Sequence, residues 1–137
     1  MTADGIIWDD GMSVGDPGLD RDHRRIIDAL NHIVALAAAA RRKDAIDEAV
    51  HLSVLIGAHV ERERALLRRA AYPDMEGLER KQQDSLDRIH ELSKLLITDP
   101  EHALFIAQTM AHAFADYLAG AEVDFSGYLQ ALQGAEG

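Results

Sequence analysis

A chain of 137 residues is the size of one domain with a moderate hydrophobic core. Its 24 acidic against 14 basic residues leave a formal net charge of −10, which argues against a nucleic-acid partner, since such partners need clustered Lys and Arg. There is no cysteine, so disulfides and thiolate metal sites are excluded and any metal must be held by histidine and carboxylate.

Few aromatics, three prolines and abundant alanine and leucine favour helices over sheet. The N-terminus shows no basic-then-apolar leader, and no apolar run approaches the ~20 residues that cross a bilayer. A soluble, cytoplasmic protein with no membrane partner is therefore expected. Residues 1–18 are rich in Gly and Asp, carry the single Trp8, and read as an arm laid over the rest. From Leu19 a helical period begins, with Leu19, His23, Ile26, Ile27, Leu30, Ile33, Val34 and Ala37 on one stripe. The polar break at 41–44 ends this first helix, and Asp44 is expected to cap a second. Its inward face should carry Val50, Leu52, Leu55, Ile56, His59, Glu63, Leu66 and Leu67 before Tyr72-Pro73 stops it. Asp74 starts a third helix with Met75, Leu78, Gln82, Leu86, Ile89, Leu92 and Leu96 inward. At 98–101, Thr98 or Asp99 caps a fourth helix with Pro100 in its first turn. Its stripe runs through Phe105, Ile106, Met110, Phe114, Tyr117, Leu118, Glu122, Phe125 and Leu129, with Gly120 a soft spot. Four helices joined by short connections predict an all-α, up-down-up-down four-helix bundle over 19–137.

Ionisable residues lie inside these apolar stripes, and burying an unpaired charge costs several kcal/mol. His59 and Glu63 are four apart and so adjacent on one helix face, a spacing that lets both chelate one cation. His23 takes the matching place on the first helix and Glu122 on the fourth. Such a set suits a non-haem divalent metal such as iron. A plainer outcome stands beside it: Arg62 and Arg64 could neutralise Glu63, and His23 could bond a backbone carbonyl or Asp20. His32 and His51 fall on other faces of their helices, and His90 and His102 read as exposed. His112 would face the core only if the fourth helix turned.

The stretches from Trp8 through Ser13-Val14-Gly15 to Asp20–His23 and Asn31, then His59–Glu63, Tyr72-Pro73 and Glu122–Leu129, together resemble the bacterial hemerythrin family. The resemblance spans nearly the whole chain. It implies a four-helix bundle that encloses iron and a pocket for dioxygen or another small molecule.

Typical members hold two irons with five histidines and two bridging carboxylates. At the family's spacing, three of those histidines would fall at Leu78, Gln82 and Tyr117, and all three serve the same iron. His23, His59, Glu63 and Glu122 match the shell of the other iron and the two bridging groups, although the family has Asp where Glu122 stands. The resemblance with these departures implies one iron per chain, held by those four residues, with Leu78, Gln82 and Tyr117 lining the other half of the pocket. There Tyr117 could hydrogen-bond or ligate a metal-bound group, or Leu78 could fill space while Gln82 and Tyr117 satisfy each other. A second metal held by Gln82, Tyr117, Glu79 or water is the competing outcome. One ferrous ion supplies one electron where the family's pair supplies two, so oxygen carriage of the family's kind is not expected. Three functions follow: binding or sensing of O₂, NO or peroxide; a mononuclear iron oxygenase or peroxide-reducing enzyme; or a metal-free bundle used for protein contacts.

Overall fold

The structure is a computed structural model that describes residues 5–136, with side chains described except at 121–124 and 133–136. It contains helices α1 (Pro17–Ala38), α2 (Arg42–Arg69), α3 (Met75–Thr98), α4 (Ala103–Tyr117) and α5 (Val123–Glu136). No strand occurs among the described residues. α1 packs on α2 and α4, and α3 packs on α2 and α4, which closes a ring of four antiparallel neighbours. No helix among the described residues is long and apolar enough to cross a membrane.

The fourth predicted helix is not continuous. A 3-10 turn at Pro100–His102 leads into α4, and a π turn at Leu118–Glu122 separates α4 from α5. Gly120 falls in that turn, where its low helix propensity gives least resistance to widening the backbone.

Local chemistry explains most of the ends. The Asp16 carboxylate accepts from the Leu19 amide at 2.9 Å and Pro17 occupies the first turn, so α1 starts two residues before Leu19. Asp74 caps α3 through the Gly77 amide at 3.1 Å. Asp44 does not cap α2: the helix begins at Arg42, and Asp44 sits in its first turn, paired with Arg41 at 2.6 Å. A carboxylate there still favours the positive end of the helix dipole. α1 and α2 both end in Schellman turns, with Arg41 N–H on Leu36 C=O and Tyr72 N–H on Leu67 C=O, each 2.9 Å. The left-handed residues are Ala40 (φ 58°) and Ala71 (φ 55°), where glycine is usual.

The N-terminal segment is tied to α1 by side chains. Asn31 accepts from the Ile6 amide and donates to the Ile6 carbonyl, both at 2.7 Å. Asp20 accepts from Ser13 Oγ at 2.6 Å and from the Val14 amide at 2.8 Å. The Arg24 guanidinium lies 4.7 Å from the centre of the Trp8 ring.

Two apolar clusters form the core. The larger takes Ile26 to Val34 of α1, Leu52 to Val60 of α2, Ile89 and Leu96 of α3, and Ile106 to Phe114 of α4. The smaller takes Val14, Leu19, Leu67, Leu78, Phe125 and Leu129. Two stripe positions were misplaced: Val50 and Phe105 are exposed, while Ala45, Ala49 and Ala107 face inward.

Candidate metal centre

His23 lies between Leu19 and Ile26, His59 and Glu63 between Ile56 and Leu67, and Gln82 between Leu78 and Ile89, so all four occupy the level where the two apolar clusters meet. Each is at most 1% exposed. Tyr117 packs against both clusters at the end of α4.

The donor atoms of His23, His59 and Glu63 converge. His59 Nε2 is 2.9 Å from His23 Nε2 and 2.7 Å from Glu63 Oε2, and His23 Nε2 is 3.7 Å from the same oxygen. A circle through three points so spaced has a radius of about 1.9 Å, so a cation slightly out of their plane would sit at the ~2.0–2.2 Å typical of imidazole and carboxylate ligands. The residues present therefore fit a divalent metal. Two rings meeting edge to face, their centroids 4.5 Å apart, with Phe114 against His23 at 6.2 Å, keep this point away from bulk water.

The second oxygen of Glu63 and the second ring nitrogen of His59 are held from behind. Glu63 Oε1 accepts from Gln82 Nε2 at 2.7 Å and from Tyr117 OH at 2.8 Å. Gln82 Oε1 in turn accepts from Arg64 Nε at 2.6 Å. His59 Nδ1 lies 3.1 Å from Asp22 Oδ2, and Asp22 takes both prongs of Arg62, Nε at 2.8 Å and an outer nitrogen at 2.7 Å. Burial works to raise the Asp22 carboxyl, but hydrogen bonds from Arg62 and then His59 outweigh it and hold the group below the ordinary carboxylate range.

A curated relative, bacteriohemerythrin from Stenotrophomonas maltophilia (strain R551-3), is 32% identical over 71 residues. The match takes in 50% of this chain and 44% of the relative, so this chain spans less than half of that protein's length in the match. Over that stretch the chain is similar to a bacteriohemerythrin. No family model matches it, and no solved structure matches it.

At this centre the sequence-derived residues part company. His23, His59 and Glu63 come together; the Glu122 side chain lies outside the described residues. Gln82 and Tyr117 each donate to Glu63. Leu78 belongs to the smaller apolar cluster, and Glu79 pairs with Arg68 near the surface at 2.6 Å. His32, His51, His90, His102 and His112 are all exposed. Arg62 bonds Asp22 and Arg64 bonds Gln82, so each arginine acts one residue further out than Glu63. Sequence reasoning missed Asp22. Its signal was present: Asp22 stands four residues before Ile26 and so shares the buried face of α1.

Proposed function

We propose that this protein holds a single non-haem iron through His23, His59, Glu63 and Glu122 and uses it to bind a small ligand such as O₂, NO or peroxide. The bacteriohemerythrin relative and the convergence of three donor atoms support a metal. The observation that carries the single-metal reading is the unequal use of the two Glu63 oxygens. Oε2 faces both imidazoles, whereas Oε1 already accepts two hydrogen bonds from Gln82 and Tyr117. A second cation at Oε1 would displace two bonds to a buried carboxylate, each worth about 1.5–3 kcal/mol.

When bound, ferrous iron with two imidazoles and one or two carboxylates supplies a one-electron centre with open positions for a small ligand. The chain's own residues do the holding. Tyr117 and Gln82 fix the Glu63 carboxylate in one orientation, and Asp22 does the same for the His59 ring. Phe114, stacked on Tyr117 and edge-on to His23, supplies an apolar wall.

The test is elemental analysis of protein loaded anaerobically with ferrous salt and desalted, with NO then added and followed by absorbance. One iron per chain, lost in Glu63→Ala, and a saturable NO-dependent spectrum are expected. Two irons would overturn the single-metal reading, and none in the wild type would favour the metal-free bundle.

A further inference from the structure

Asp22 and His23 are neighbours on α1, yet both reach the same residue of α2. His23 meets His59 on the Nε2 side of the ring, and Asp22 meets it on the Nδ1 side. A 180° turn of the His59 ring would break both contacts, so its orientation is determined from two directions. The Asp22 carboxylate carries the Arg62 fork on both of its oxygens. Guanidinium offers only hydrogens, and an ionised carboxylate offers only lone pairs, so the hydrogen shared between Asp22 and His59 sits on Nδ1.

We infer that Asp22, clamped by Arg62, is a positioning residue: it holds His59 with a hydrogen on Nδ1 and aims Nε2 at the point shared with His23 and Glu63, and so sets how tightly the centre retains a divalent metal. This rests on the single-metal reading. The burial pattern suits such a role, because the Asp22 side chain is 8% exposed while that of Arg62 is 55% exposed. The charge that orients the ring is thus buried, and the group that balances it is anchored from the surface. Groups that orient a metal-binding imidazole in this way typically govern affinity 10–100-fold.

Zinc is the probe, being diamagnetic and redox-inert. Its Kd is measured by competition with a chromophoric chelator for the wild type, Asp22→Ala, Asp22→Asn and Arg62→Met, with metal-free melting temperatures recorded alongside. Asp22→Ala is expected to bind about 10–100-fold more weakly. Asp22→Asn should lose less, because an amide oxygen still accepts from Nδ1–H, and Arg62→Met should fall between wild type and Asp22→Ala. In nitrogen-resolved NMR of the zinc-loaded wild type, His59 should show a slowly exchanging Nδ1 hydrogen that is absent from Asp22→Ala. Wild-type affinity in Asp22→Ala, or His59 binding zinc through Nδ1, overturns the inference while leaving the metal reading intact. Should Asp22→Ala fail to fold, wild-type affinity in both Asp22→Asn and Arg62→Met has the same force. A wild type that takes up neither zinc nor iron overturns the metal reading and the inference together.

Discussion

Gln82→Leu tests whether the buried polar layer is built as described. The side chain is 1% exposed and donates to Glu63 Oε1 at 2.7 Å while accepting from Arg64 Nε at 2.6 Å. Leucine has nearly the same volume, so little cavity forms, and the loss is one hydrogen bond to a buried carboxylate, about 1.5–3 kcal/mol. The Arg64 bond counts for less, because this half-buried guanidinium can turn to water. Added apolar burial returns somewhat under about 1 kcal/mol. The net expectation is a loss of about 2 kcal/mol, or a melting temperature lower by about 6–8 °C for a chain of this size. The assay is thermal unfolding of chelator-treated protein by circular dichroism, with the fluorescence of the single Trp8 as a second probe of two-state behaviour. A shift below about 1 °C would show that Gln82 does not hold Glu63 and would remove the main support for a one-metal centre.

Replacing Leu78, Gln82 and Tyr117 together by histidine removes both donors from Glu63 Oε1 and should raise bound iron from one to two per chain; an unchanged ratio in folded protein would count against their role in limiting the site. Ala40→Gly and Ala71→Gly should each stabilise the chain by about 0.5–1 kcal/mol in urea denaturation, because both alanines hold left-handed backbone at helix ends where glycine is unstrained. His102 hydrogen-bonds the Asp99 carboxylate at 2.9 Å, which raises its pKa above the ordinary 6.5. The contact therefore contributes fully below the unfolded value and is lost as pH rises through the higher folded one. An NMR titration should place the His102 midpoint above that of an isolated histidine, and Asp99→Asn should bring it down.

Much of the architecture could be read from apolar periodicity, since residues three and four apart report directly on which side of a helix is buried. The errors fell where neighbouring residues compete. At Ala103–Ala107 five apolar residues stand in a row, so periodicity leaves the phase open, and packing buries Ile106 and Ala107 while exposing Phe105. On α2, Ala45 and Ala49 face inward, and Val50, one residue round the helix, is left outside.

The sequence alone determined that imidazoles and a carboxylate stand on apolar stripes, and that Leu78, Gln82 and Tyr117 stand where the resemblance implies histidine. Those facts are local, resting on residue type and on spacings of three or four. Tertiary structure decided what each polar atom meets: Asp22 reaches His59 across 37 residues, Gln82 reaches Glu63 across 19 and Tyr117 reaches it across 54. No helical period encodes such distances. Hydrogen-bond pairing in a dry interior depends on which helices lie side by side and at what register, and that is set only when the apolar faces pack.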